Sequence, residues 1–210
     1  MRLVKFGHAC VRLERDGRVL VIDPGVYSEA EACDGASHIL ITHEHADHVN
    51  PDHLAGALAA NPALKVHAPA SVVGQLGDLG GAVETVAVGQ TFDAGGFTVE
   101  VVGGDHAEIY EGLPGCANVG YLVDDGAVYH PGDSLFVPSK PVATLLVPTA
   151  APWLKLAEML DFVRAVAPQR AYSIHDAMLS DIGMRGVDQW ITMKGGTEYA
   201  RIPIGGSVDI

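Results

Sequence analysis

The segment Thr42-His43-Glu44-His45-Ala46-Asp47-His48 constrains this chain more than any other. It places four potential metal ligands within six residues, directly after an apolar, strand-like run at His38–Thr42. Three imidazoles and a carboxylate are costly to bury without a charge to meet them. They are also ready ligands for zinc and similar divalent ions. In extended backbone, residues two apart point the same way, so His43 and His45 can converge on one ion. The chain must then turn, because Asn50-Pro51 reads as a helix N-cap with Pro at the first helical position. That turn can swing Asp47 and His48 toward a second ion, and one short loop then offers half-sites for two metals about 3.5–4 Å apart.

Around this segment the chain reads as strands and helices in alternation. Arg2–Phe6, Cys10–Glu14 and Arg18–Asp23 are strand-like, and Asp16-Gly17 is a hairpin signal between the last two. A helix is expected from Pro51 to Ala60, ending at Asn61-Pro62. Val83–Val88, Phe97–Val102, Asn118–Val123, Ala127–His130, Leu145–Pro148 and Arg170–Ile174 are further strand candidates, and the tail Tyr199–Ile210 reads as strand and turn. Trp153–Val166 has helical spacing, with Leu156, Leu160 and Val163 on one face. Arg18–Gly25 and Ala127–Asp133 each follow an Asp-Gly turn and end in a Pro/Gly/Asp cluster, which fits either two similar halves or two chance hairpins. No linker composition divides the sequence, so a single domain, 1–210, is expected.

Composition narrows the partners. The 210 residues carry a formal charge of −13, and only 13 are Lys or Arg. A protein that grips a phosphate backbone needs clustered cations, so a nucleic-acid partner is not expected. With 48% hydrophobic residues the chain is not a disordered polyanion. No run approaches the roughly 20 apolar residues of a membrane helix, and no secretory signal is legible. Cys10, Cys33 and Cys116 form no metal-knuckle pair and read as reduced thiols, giving a cytoplasmic expectation. The partner expected is a small-molecule substrate; oligomeric state is left open.

The HxHxDH motif of residues 43–48 matches that of the metallo-β-lactamase-fold metallohydrolases in every position, and the resemblance runs over nearly the whole chain. His106 follows a strand, Gly132-Asp133 follows a later one, and His175 closes the set in Ser-Ile-His-Asp. The opening, Phe-Gly-His8-Ala-Cys through Ile22-Asp23-Pro24, is most similar to the branch containing ascorbate-6-phosphate lactonase. The resemblance implies an α/β fold, a four-layer αβ/βα sandwich of two mixed β-sheets flanked by helices. It also implies that His43, His45 and His106 hold one metal, that Asp47, His48 and His175 hold the other, and that Asp133 bridges them. Two divalent ions are therefore expected; zinc suits the His-rich set best, and manganese or iron would also accept it. The implied reaction is hydrolysis of a small ester, lactone or phosphoester by a metal-bridging hydroxide, with Asp47 or bound hydroxide shuttling the proton to the leaving group. A binding protein without turnover and a nuclease are the rival readings.

Departures from the family pattern matter as well. Asp133 stands where zinc β-lactamases generally have Cys, which argues against antibiotic hydrolysis. Residue 45 is His where flavo-diiron reductases usually carry a carboxylate. The region Pro148–Trp153 lacks the Gly-rich pattern of the lactonase branch. Outside the ligand set, His8 reads either as a catalytic group that orients substrate or donates a proton, or as a core histidine. Asp23 either braces a ligand or caps a turn, and His130 is a supporting residue. His38, His53 and His67 read as ordinary surface or rim residues. The segment Ala107–Ala117, with Glu108, Tyr110, Glu111 and Pro114-Gly115, and the stretch ending at Trp153 are candidate pocket walls, with Asp176 and Met178 as lesser ones.

Overall fold

Strand candidates such as Val19–Ile22 and Leu145–Val147 are continuous apolar runs, so they have to bury both faces, as strands flanked by helices do. The computed structural model describes residues 1–77, 79, 82–111, 113 and 115–210. Within it the first sheet is built from β1 (Arg2–Lys5), β2 (Val11–Arg15), β3 (Arg18–Ile22), β4 (His38–Leu40), β5 (Lys65–Ala68) and β6 (Val83–Thr85). The second is built from β7 (Thr91–Asp93), β8 (Thr98–Asp105), β9 (Ala117–Val123), β10 (Val128–His130), β11 (Thr144–Pro148), β12 (Arg170–Ile174) and β13 (Glu198–Ala200). A last strand, β14 (Ser207–Asp209), returns to the first sheet and pairs antiparallel with β1. Four α-helices cover the sheets: α1 (Pro51–Ala60), α2 (Ala70–Leu76), α3 (Leu156–Val166) and α4 (Asp181–Lys194).

Each sheet has seven strands, in the orders β14-β1-β2-β3-β4-β5-β6 and β13-β12-β11-β10-β9-β8-β7. Pairing directions repeat between them. β14-β1-β2-β3 and β7-β8-β9-β10 are antiparallel runs, and β3-β4-β5-β6 and β10-β11-β12-β13 are parallel runs. β3 and β10 are therefore equivalent strands, so the likeness of Arg18–Gly25 to Ala127–Asp133 reflects two topologically matching halves.

Strand alternation assigns the layers. In β3, Leu20 and Ile22 join Leu3, Leu13, Val99, Val101 and Tyr121 in a core between the sheets. Val19 and Val21 face the other way, into a cluster with Leu54 of α1 and Val72 of α2. On the far side, Leu145 and Val147 of β11 pack with Met159, Phe162 and Val163 of α3 and Ile191 of α4. The result is the αβ/βα sandwich. Asn50 caps α1 as its spacing indicates, its side chain accepting from the Asp52 amide. Among the described residues, no helix is long and apolar enough to cross a membrane.

Some elements differ from the sequence reading. α3 starts at Leu156 rather than Trp153, and β6 stops at Thr85. β5, α2, β7 and α4 were not legible. α4 buries only Ile191 among its residues and contains Gly183 and Gly186, which lower its intrinsic helix propensity. His67 is a correction: it is 3% exposed, on β5, with its ring stacked 4.4 Å from Phe92 and its Nε2 2.9 Å from His38 Nδ1. The pattern of β5 could not show that its neighbour across the sandwich is an aromatic ring. His38 and His53 are half-buried.

Tyr121 of β9 is fully buried, and its hydroxyl donates to the Ile41 carbonyl of the opposite sheet at 2.7 Å. Tyr121→Phe leaves that carbonyl without the bond and is expected to lower the unfolding free energy by about 1–3 kcal/mol. Urea unfolding reads this directly; an unchanged midpoint at unchanged slope would contradict the role given to the hydroxyl.

Candidate metal centre

Strand ends bring the candidate residues to one rim of the sandwich. His8 follows β1, Asp23 follows β3, and residues 43–48 follow β4. The register puts the ends of β3 and β4 side by side, Ile22 opposite Leu40. In the other sheet His106 follows β8, Asp133 follows β10 and His175 follows β12. His8, Asp23 and His175 adopt left-handed backbone with φ of 58°, 53° and 55°. Such a conformation costs a non-glycine residue about 1–3 kcal/mol. Here it re-aims each side chain at the end of its strand. Gly25 is required for a different reason: a Cβ there would meet the Asp47 carbonyl oxygen at 1.9 Å.

The imidazoles are oriented from behind. His48 Nδ1 donates to Asp23 Oδ2 at 2.6 Å, and His106 Nδ1 donates to the Ala107 carbonyl at 2.6 Å. His175 Nδ1 donates to the Ala150 carbonyl. Thr42 Oγ1 gives its proton to Asp23 Oδ2 at 2.7 Å, so it accepts from His43 Nδ1 at 3.0 Å. In their neutral forms all four rings then carry the free lone pair on Nε2. His45 instead presents Nδ1, 3.1 Å from His43 Nε2, and its Nε2 lies 3.9 Å from Cys116 Sγ.

These lone pairs converge with two carboxylates. Asp133 Oδ1 is 3.1 Å from His48 Nε2, and its Oδ2 is 3.1 Å from His175 Nε2 and 3.4 Å from His106 Nε2. Asp47 Oδ2 is 3.4 Å from His175 Nε2 and 3.9 Å from His48 Nε2. Yet His48 Nε2, His106 Nε2, His175 Nε2 and Asp133 Oδ1 are buried and have no hydrogen-bond partner. Buried polar atoms this close, and left unbonded, are explained by a shared cation. Ligand atoms of His43, His45 and His106 lie within 4.8 Å of one another, as do those of His8, Asp47, His48 and His175, and those of His43, His48 and Asp133. The donor set is nitrogen and carboxylate oxygen throughout, which fits divalent zinc, manganese or iron.

Electrostatics point the same way. Burial disfavours a charged His48, but Asp133 and Asp23 outweigh it and push its pKa up to about 10. Burial likewise opposes a charged His175, and the Asp133 and Asp47 carboxylates raise it to about 9. His43 is driven well below its ordinary value, first by burial and then by His48. The carboxylates of Asp47 and Asp133 are held below the usual range by the histidines around them, against the opposing effect of burial. The pocket is thus built to surround positive charge.

The structure brings all seven candidate ligands together. His8 is buried beside them. Its Nδ1 accepts from the Ala177 amide at 3.3 Å, so Nε2 carries the proton and donates to Asp47 Oδ2 at 3.1 Å. Asp23 braces rather than caps, holding the Thr42 amide at 2.8 Å as well as Thr42 Oγ1 and His48. His130 accepts from the Gly132 amide at 3.1 Å and bonds the Ala9 carbonyl at 2.9 Å, which supports the Asp133 loop. Thr42, Asn118 and Trp153 were missed as supports. Asn118 Oδ1 accepts from the Asp133 amide at 3.0 Å, and Trp153 Nε1 donates to Asp133 Oδ2 at 3.1 Å. The sequence marked Trp153 as a candidate pocket wall and not as a support of Asp133.

A cavity of about 520 Å³ opens beside the centre, lined by His45 and His106 with Glu44, Glu108, Ile109 and Cys116. The segment after His106 therefore does form a wall; Pro114 lies outside the described residues. Asp176 pairs with Lys5 and Arg201, and Met178 is exposed.

Comparison with known proteins agrees with this geometry. The family model of a β-lactamase superfamily domain matches residues 2–175, and the chain belongs to that family. Protein Rv0786c of Mycobacterium tuberculosis is 42% identical over 185 residues, 86% of each chain. A UPF0173 metal-dependent hydrolase of Xanthobacter autotrophicus is 32% identical over 131 residues, 54% of this chain and 51% of that one. The metallo-β-lactamase fold protein YhfI of Bacillus subtilis superposes with a TM-score of 0.77 at 13% identity, covering 99% of this chain and 98% of its own.

Asp23→Ala removes three bonds at once from the residues that orient His43 and His48. Metal affinity is expected to fall about 10–100-fold, the usual cost of losing an outer partner of a ligating histidine. Competition with a chelator reads the change; an affinity equal to the parent's would contradict the bracing role.

Proposed function

We propose that the protein is a metal-dependent hydrolase acting on a small ester, lactone or phosphoester. The observation that carries this reading is the convergence of unbonded, buried Nε2 atoms on the Asp133 carboxylate. His43, His45 and His106 would hold one ion, Asp47, His48 and His175 the other, and Asp133 would serve both. Divalent ions bound there supply Lewis acidity toward a carbonyl or phosphoryl oxygen and bring the pKa of water toward 7.

The chain's own residues supply position and proton transfer. The Asp47 side chain is 26% exposed, against 4% for Asp133. It is thus the carboxylate that meets entering water and would relay its proton to the leaving group, since the histidines around it keep it too weak a base to retain one. His8 holds Asp47 Oδ2 through its Nε2–H and fixes the direction of that carboxylate. Trp153 covers Asp133 and keeps it dry, which strengthens its interaction with any cation. The cavity beside His45 and His106 is where a small substrate would reach the centre.

The purified protein is expected to hold two divalent ions per chain by elemental analysis and to turn over at least one member of an ester, lactone and phosphodiester panel. Fewer than one ion, with no turnover after reconstitution with Zn²⁺ or Mn²⁺, would sink the reading. Asp133→Ala is expected to lose metal far more readily than His67→Ala, whose ring lies in the Phe92 stack; equal metal content in the two variants would refute the ligand assignment.

A further inference from the structure

A second cavity, of about 610 Å³, shares a wall with the metal centre. His8, Tyr27, Leu179, Met184, Ile202 and Ile204 line its apolar part, and Lys5, Asp176 and Arg201 supply its charges. Those charges are spent on one another. Lys5, 2% exposed, bonds the carbonyls of Phe6 and His8 and faces Asp176 Oδ1 at 3.5 Å, which occupies its three N–H groups. Arg201 pairs with Asp176 through Nη1, and with Asp188 through Nε at 3.0 Å and Nη2 at 2.8 Å. Among the described residues that line the cavity, no cation is left to meet an anionic ligand, and no carboxylate is left to meet a cationic one. What remains available is hydrocarbon: Tyr27 is 58% exposed and Ile204 63%, and both stand on the wall of this one cavity together with Leu179, Met184 and Ile202.

The cavity is tied to the centre through two contacts. His8 lines it and holds Asp47 at 3.1 Å. Ala177 lines it, follows His175 by two residues, and holds His8 Nδ1 through its amide. The cavity on the other side, beside His45, carries the carboxylates Glu44 and Glu108 instead. We propose that the His8 cavity seats an uncharged, medium-length aliphatic acyl chain of the substrate, so that the enzyme prefers acyl esters or lactones to phosphoesters. This rests on the hydrolase reading above.

The test uses the metal-loaded protein and an uncharged probe, octanamide, with acetamide as control. Calorimetry is expected to show octanamide binding with a negative heat-capacity change, and no binding of acetamide. Each buried methylene tightens binding by about threefold to fourfold, so 4-nitrophenyl octanoate is expected to show a KM about tenfold or more below that of the acetate. Ile204→Asp, at an exposed position, is expected to abolish octanamide binding and the chain-length preference; Met184→Trp, which fills the cavity, is expected to do the same. Failure of octanamide to bind the parent protein overturns the inference, as does unchanged binding to both variants. Octanamide that binds without competing against the octanoate ester also overturns it. Octanamide binding without turnover of either ester upholds the acyl site and refutes the hydrolase reading alone.

Discussion

Asp23 is the group on which the metal centre depends. Its carboxylate is fully buried, and it holds the Thr42 amide, the Thr42 hydroxyl and His48 Nδ1. Through Thr42 it also sets the tautomer of His43. A buried carboxylate is expensive unless every lone pair is used, and here each bond it makes also aims a ligand. The left-handed backbone of Asp23 and the glycine two residues later, packed on the Asp47 carbonyl, let the β3 end and the ligand loop lie this close.

The same logic runs through the second half of the molecule. β10 is the topological counterpart of β3, and it too ends in an aspartate at the rim. Asp133 faces inward to the histidines, whereas Asp23 faces their outer nitrogens. One strand end thus supplies the candidate shared ligand and its counterpart supplies the brace. Asn118, His130 and Trp153 do for Asp133 what Thr42 does for the ligand loop: Asn118 accepts from the Asp133 amide, His130 accepts from the Gly132 amide beside it, and Trp153 donates to Asp133 Oδ2. Charge follows from this arrangement. A chain with a formal charge of −13 concentrates its attraction for electron-rich groups in one pocket, where bound cations rather than Lys or Arg would provide it.

Much of this was legible beforehand, and the parts that were not share a cause. The strands β3, β9, β11 and β12 were readable because buried strands are short apolar runs between turn residues. The ligand loop was readable because its spacing has chemical meaning within a few residues. The helix α4 was not, because two glycines interrupt it and Ile191, its one fully buried residue, finds its partners in the cluster with α3 and β11, far off in the chain. His67 was misjudged for a similar reason: nothing near it in the chain reveals Phe92. Trp153 and Asn118 were missed because their partners are 20 and 15 residues away.

The sequence by itself determined which residues have metal-ligating chemistry and which of them follow strands. Local spacing suffices for those statements, since side-chain chemistry and strand periodicity act over a few residues. Only the tertiary structure decided which nitrogen of each imidazole faces the centre, that His8 holds Asp47, and that Asp23 braces while Asp133 converges. It also decided that Lys5 and Arg201 are matched by Asp176 and Asp188 beside an apolar cavity. Those are properties of distance and hydrogen-bond direction between strand ends of two sheets, and register and backbone handedness set them over separations that no local pattern spans.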